Sequence, residues 1–533
     1  MSDFSLERIN VIEIDIPRCS HTFGVSPCLA TGEKCYNTSG TCKYKSALDL
    51  TEKTTYRFCS DVAPLPIFIN APSGLNNGDL LPTLNGEPRQ TGATVDLKGG
   101  LGVRGKLTCQ ITDHQSDDQQ FGADPYTASR SYNPLDRGTF WSKLKARDPY
   151  LAGRQIRLLT GVIEAGKVDY SAMRSFAYVI ESVDLQQGSA SITAKDILKL
   201  ADNDRAQWPP VTQADLAADI DDTATSLTII YNGTDLDAAL PAGGGLIRID
   251  DEIIRYASRS GTTITISNRG HVGTTAAAHT AGADVQRVRA YANLIHEMIN
   301  QWLVFGAGID PSFIPYDDWA AEVNAQYPTL LNGYIAEPTG VKDLLEELGE
   351  TAQTVLYWDA ETQKIRLKIS RPPAVGDTPV ISADQYIQDS FKYSEQTDSR
   401  ISQVWVYYGL KNPTRDLDEP TNYELLHVRA DLQSETAEEY GTQRIKKIYS
   451  RWISRDNKAA AVLLALKLGQ RFGRAPRSAT FTVTPRDSRV ALAEPIAVKH
   501  RTITDASGAE QPLYCQVLEK TEAGNLVTYK VLE

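Results

Sequence analysis

Apolar residues recur along this chain with two periods. Residues 10–17 alternate Ile12, Ile14 and Ile16, which predicts a strand ended by Pro17. The segment 105–200 alternates in KLTCQITD, RQIRLLTGVI, AYVIESVDL and SASITA, again the pattern of strands. Between them, DRGTFWSKLKARDPYLAG has apolar residues at helical spacing and suits a helix laid across a sheet. SITA leads into KDILKLADND, a short helix start. From 206 to 288, SLTIIY, GLIRIDDEIIRYAS and TTITISNRG are separated by Gly-rich turns; they predict a small module of about five strands without a large core.

The period then changes. YANLIHEMINQWLVFG reads as a helix with Leu294, Ile295, Met298, Trp302 and Leu303 as its apolar residues, and VKDLLEELGE as a second helix. TVLYWD and KIRLKI predict a hairpin through DAETQ. The last part holds QVWVYYG, a helix from about Ser454 to Gly469, and the strands SATFTVTP, EPIAVKH, LYCQVLE and VTYKVLE. The expected fold is mainly β with α+β parts, in five regions: a cysteine-rich segment (1–63), a first β-domain (64–205), an inserted β-module (206–288), a helical α+β domain (289–395) and a second β-domain (396–533). The two larger β-domains would be a related pair.

Composition narrows the function. A chain of 533 residues exceeds one core. Its net charge of −12 argues against a dedicated duplex-binding protein, although not against a channel through which DNA slides. No apolar run approaches the roughly 20 residues that span a bilayer. MSDFSLERINVIEIDIP lacks a signal-peptide core, so maturation in a reducing cytoplasm is expected, where thiols stay reduced or bind metal.

Five of the seven cysteines lie between positions 19 and 59. Cys109 and Cys515 each alternate with apolar neighbours and read as inward-facing strand residues. The others follow the pattern Cys19-x8-Cys28-x6-Cys35-x6-Cys42, with Cys59 seventeen residues further on. Four thiolates hold either a tetrahedral zinc or an iron–sulfur cluster. Zinc ribbons bring their ligands as tight C-x2-C pairs, and that pairing is absent, so the wider spacing favours an iron–sulfur cluster, 4Fe-4S in type. Zinc, with His21 substituting for a thiolate in a mixed-ligand site, is the alternative; a third reading is free cysteines or a pair of disulfides. Cys59 is either a fifth, idle thiol or one of the four. Gly24, Pro27, Gly32 and Gly40 would let the chain curve around the centre, and Lys34, Lys43 and Lys45 would offset thiolate charge.

No catalytic residue is expected. His296-Glu297 lacks the second histidine of the zinc-protease motif, and neither a nucleophile elbow nor a P-loop occurs. Asp250, Asp251 and Glu252 read as a solvated strand end rather than a calcium site.

The cysteine spacing resembles the iron–sulfur segment of lambda-like phage tail-tip proteins. IRIDDEIIRYASRSGTTITISNRGHVGTTAAAHTAGADV, with Arg269-Gly270 and a Thr-Ala-rich loop ending at His279, resembles a small β-module common in phage tail and baseplate proteins. SASITAKDILKLADND resembles the strand–Asp–helix corner of tail hub proteins. Together these stretches cover about a third of the chain. In the lambda-like protein the cysteines lie toward the C-terminus, whereas here they come first. The resemblance implies a virion protein assembled in the host cytoplasm: a baseplate hub of a siphophage-like tail, homotrimeric, with paired β-domains in a ring. Its partners would be the tube-end protein above and a tip or central fibre below, with genome DNA passing through. Two other functions fit parts of the sequence: a soluble iron–sulfur redox enzyme, and a receptor- or glycan-binding tail protein acting through 206–288.

Overall fold

A computed structural model of the chain describes residues 7–60, 65–71, 80–99, 101–371, 378–523 and 526–533. Seven strands close a barrel: β1 (Glu7–Arg18), β2 (Glu52–Ser60), β3 (Leu81–Thr91), β4 (Lys106–Thr112), β5 (Gln155–Ile163), β6 (Arg174–Gln186) and β7 (Ser189–Lys195), in the spatial order β1-β2-β3-β4-β7-β6-β5. Ile12, Ile14 and Ile16 of β1 face the interior with Leu107, Cys109, Ile111 and Ile192, as their alternation predicts. Ile9 and Val11, on the other face, are covered by Val168 and Met173, so β1 is buried on both sides. The strand does not stop at Pro17. It pairs with β2 as far as Arg18, while its pairing with β5 ends at Ile14. Pro17 thus lies where β1 has a single neighbour, the place a strand tolerates proline best.

Helix α1 (Phe140–Arg147) packs into the barrel core with Phe140, Trp141 and Leu144. The Trp141 ring stacks on Phe58 at 5.2 Å. The expected helix across a sheet is therefore a plug.

Three of the expected boundaries move. β1 and β2 are barrel strands, so residues 1–63 are not a separate segment; the cysteine-rich part, 19–51, is an insertion between adjacent strands of the first β-domain. The module does not end at 288 either. Strand Val285–Asn293 runs through that point and pairs with Leu331–Ile335, which extends the module's sheet to seven strands. Its buried residues Val285, Val288 and Tyr291 are spaced by three, a helix-like interval that disguises the strand. The helix that follows is shorter than predicted, Ile295–Gln301, before a π-turn at Trp302–Gly306.

The hairpin through 360–363 forms as predicted, Thr354–Asp359 against Lys364–Ile369. The last β-domain has a six-stranded sheet and a three-stranded sheet. The first includes Val380–Ile381 and Lys392–Glu395, so this domain begins upstream of 396. The helix Lys458–Phe472 supplies Ala461, Leu464, Ala465 and Leu468 to its core. Val95 and Leu97 cross from the barrel into that same core. Val95 N–H donates to the Leu518 carbonyl at 2.9 Å. Gly92 is required at this crossing, because a Cβ there would come within 1.8 Å of the Lys520 carbonyl oxygen.

Within the module, Asp250 and Asp251 form the turn between strands Gly245–Ile249 and Glu252–Ser260. Glu252 is not solvated as expected: its side chain is 1% exposed. It accepts two hydrogen bonds of 2.8 Å from Arg269. The N–H groups of Gly270 and Ala277 donate to it at 2.8 and 3.1 Å. His279 lies between Glu252, at 2.9 Å from Nε2, and Asp250, at 2.7 Å from Nδ1. One carboxylate thereby pins both ends of the 269–279 loop. Burial acts to raise its pKa, but hydrogen bonds from Arg269, Gly270, His279 and Ala277 outweigh burial and bring it from 4.5 down to about 2.

A carboxyl whose pKa is depressed by folding stabilises the fold above its unfolded pKa and loses that contribution as the pH falls through the folded one. Protection of the 269–279 amides is therefore expected to weaken between pH 4.5 and about 2. Glu252→Gln should abolish that pH dependence and destabilise the module by about 3 kcal/mol, since Arg269 loses a buried counter-ion. Hydrogen exchange corrected for intrinsic rates measures both effects; a variant as acid-sensitive as the wild type would contradict the pin.

Candidate metal centre

The insertion leaves β1 at Arg18 and re-enters at Glu52, two residues that face each other in the β1–β2 register. Between them, the described structure is turns and loop with a single 3-10 turn at Lys45–Ala47. Of residues 19–51, only Cys28, Cys35 and Thr38 are buried. A segment of this length without an apolar core has little to hold it by burial alone.

Its polar ties are local. Asn37, in the left-handed region at φ 54°, accepts the Cys19 N–H at 2.8 Å and donates from Nδ2 to the Cys19 carbonyl at 3.3 Å. Cys28 N–H donates to the Val25 carbonyl at 2.9 Å. Ser20 Oγ donates to Asp49 at 2.8 Å.

Further ties reach the 114–149 segment, which leads into and out of α1. Thr38 Oγ1 donates to the Arg147 carbonyl at 2.6 Å, and Phe23 N–H to the Tyr126 hydroxyl at 2.8 Å. Gly40 serves this contact rather than curvature around a centre: a Cβ there would lie 2.7 Å from the Arg147 carbonyl oxygen.

Cys19, Cys28, Cys35 and Cys42 line one small pocket. Cys28 and Cys35 are each 9% exposed, Cys19 and Cys42 half-buried, and all four are thiols outside any disulfide. Burial raises the pKa of Cys35, and the neighbouring thiols of Cys42, Cys28 and Cys19 raise it further, partly offset by a hydrogen bond to Asn37. Four such groups converging in one place repel one another when ionised unless a cation lies among them.

Among the described residues, no group of three or more His, Cys, Asp or Glu side chains is arranged to hold a metal ion. A tetrahedral zinc pulls its thiolates to about 2.3 Å from one point, whereas a cluster takes them on separate irons and leaves them further apart. The pocket brings together four thiol donors.

Cys59 lies elsewhere. It sits in β2, opposite Val11, buried against Ile9, Leu80 and Leu159 on the outer face of the barrel. His21 and Lys43 do line the thiol pocket. Lys34 and Lys45 do not; they turn to Ser129 and to the Ser39 carbonyl. Cys109 and Cys515 are core residues, as their alternation predicts. Sequence reasoning missed the receiving segment, although DPYTASRSYNP, with two tyrosines and an arginine in a polar loop, was a visible signal.

No family model matches the chain, and no curated protein matches it. Among solved structures, it is similar to the 43 kDa tail protein of prophage MuSo2 from Shewanella oneidensis, at 10% identity and a TM-score of 0.37 over 84% of this chain and 96% of that one. It is also similar to the prophage tail protein gp18 from Listeria monocytogenes EGD-e, at 9% identity and a TM-score of 0.35 over 85% and 90% of the two chains. A third similarity is to the lidded Francisella PdpA-VgrG complex, at 8% identity and a TM-score of 0.35, covering 99% of this chain and 52% of that one.

The burial pattern sets an order of reactivity. Alkylation of the metal-free native protein is expected to mark Cys19 and Cys42 first. Cys109 and Cys515 should react only on unfolding, since burial pushes the Cys109 thiol up to about 12 and raises that of Cys515 as well. Peptide mass spectrometry reads the order, and modification of Cys109 ahead of Cys42 would contradict this pocket.

Proposed function

We propose that the chain is a structural protein of a phage-type tail, a baseplate hub, and that its insertion holds a 4Fe-4S cluster through Cys19, Cys28, Cys35 and Cys42. The observation that carries the metal reading is the pairing of a coreless insertion with four convergent thiols. Two of its three buried residues are cysteines. Bound metal supplies folding free energy to segments that burial cannot stabilise, and does so as a cross-link between points distant in sequence. On this reading the cluster ties Cys19, at the end of β1, to Cys42 on the far side of the loop. Cys59 takes no part.

The hub reading rests on sequence: the cysteine spacing, the Arg269-Gly270 to His279 module and the strand–Asp–helix corner at 189–202 each resemble tail proteins. The corner has a physical form here, because Asp196 caps the turn Ile197–Asp202 by accepting the Leu198 N–H at 3.1 Å. A homotrimeric ring between the tube end and the tip is the assembly that follows. A net charge of −12 suits a lumen that lets DNA pass without holding it.

Purification without oxygen is expected to give a coloured protein with iron and acid-labile sulfide in equal amounts. A colourless protein with one zinc per chain would overturn the cluster. Serine at Cys19, Cys28, Cys35 or Cys42 should remove the colour, and serine at Cys59 should leave it. Native mass measurement tests the hub separately: a chain that stays monomeric and never joins a tube-end ring overturns that reading, whatever the metal.

A further inference from the structure

Three successive carbonyls in the insertion are gripped by guanidinium groups. Arg130 donates from Nη1 to the Lys34 carbonyl at 2.7 Å and from Nη2 to the Cys35 carbonyl at 3.0 Å. Arg18, the last residue of β1, donates from Nη1 to the Tyr36 carbonyl at 3.1 Å. With its carbonyls held on that side, the Cys35 turn keeps its sulfur in the thiol pocket.

Arg130 is itself fixed. Its Nε and Nη2 reach the Asp124 carboxylate at 2.8 and 3.2 Å, and the two side chains are only 4% and 1% exposed. Its guanidinium lies 4.0 Å from the centre of the Tyr36 ring. Arg147, held by Asp118 at 2.6 Å, lies 4.2 Å from the same ring. A buried ion pair of this kind gives little net stability for the desolvation it entails. Here it delivers a planar fork to two adjacent carbonyls and a fixed positive charge beside a pocket of thiols. A lysine, with one nitrogen and no fork, cannot serve both carbonyls and the carboxylate together.

We infer that Arg130 is a positioning residue for the four-thiol centre, an inference that rests on the cluster reading above. It holds Cys35 in the ligating position before metal arrives and keeps compensating charge against the loaded centre. Outer partners of metal ligands act in this way, and their loss costs about ten- to a hundred-fold in metal affinity.

The test compares Arg130→Met and Arg130→Lys with wild type, each loaded with iron and sulfide without oxygen. The Arg130→Met protein should bleach about ten- to a hundred-fold faster under an iron chelator. Its reduction potential should move to more negative values, because Asp124 is left without its cation. Arg130→Lys should restore the potential in large part and the resistance to chelator only partly, since it returns charge without the fork. Far-UV circular dichroism and thermal unfolding report whether the variants keep the fold. If Arg130→Met does not fold, Asp124→Asn, which frees the guanidinium without removing it, is read by the same chelator assay. Wild-type bleaching rate and potential in the folded variants would overturn the inference. Failure of the cluster reading looks different: wild type itself takes no iron. In that case zinc release from Arg130→Met, measured against wild type, decides the positioning role on its own.

Discussion

The ladder between β1 and β2 is the constraint on which the four-thiol pocket depends. Arg18 opposes Glu52 in that ladder, so the ends of a 19–51 loop are brought together by the barrel and not by the loop. Closing a loop of a few tens of residues costs a few kcal/mol of chain entropy, and here barrel formation meets that cost. What is left for the insertion is to order its interior. It does so with side-chain ties to the 114–149 segment and with four thiols turned to one pocket. α1 belongs to the same arrangement, since the segment that receives the insertion also carries the plug that fills the barrel.

Much of this fold was legible, and the failures have physical causes. Alternation gave the barrel strands, because successive side chains of a strand point to opposite faces and one face lines the barrel core. It could not show that β1 and β2 flank the cysteines as neighbours, since pairing is a tertiary fact that Ile12, Ile14 and Ile16 do not encode. The boundary at 288 failed where Arg287 and Arg289 occupy strand positions that a simple alternation would fill differently, and where Val285, Val288 and Tyr291 mimic a helical interval. Glu252 was misjudged for a related reason: a carboxylate in an acidic triplet looks solvated until Arg269, seventeen residues away, folds back onto it. In the site, the four cysteines could be named from spacing alone. The exclusion of Cys59 from the pocket needed the strand register, and the part of Arg130 needed its contacts with the Lys34 and Cys35 carbonyls.

Two polar assemblies in different parts of the molecule share one design. In the module a single buried carboxylate gathers an arginine, two backbone N–H groups and a histidine. In the insertion a single buried guanidinium gathers a carboxylate and two carbonyls. Both occur where a loop is too poor in apolar residues to pack. Each fixes backbone geometry through charge-assisted hydrogen bonds, whose directionality apolar contacts lack. The cost is that neither tolerates loss of its central group.

The crossing at residues 92–97 has a mechanical meaning. Val95 and Leu97 are rooted in the core of the last β-domain while β3 and β4, on either side of them in sequence, are barrel strands. The chain is thus stitched through its neighbour and back. A load that pulls the barrel away from the last domain cannot simply peel one surface from another. It must draw two apolar side chains out of a packed core and break the main-chain bond from Val95 to Leu518. Gly92, wedged against the Lys520 carbonyl, leaves no slack at that point. The joint between the two β-domains is therefore made of core packing and a main-chain bond, and not of surface contact alone.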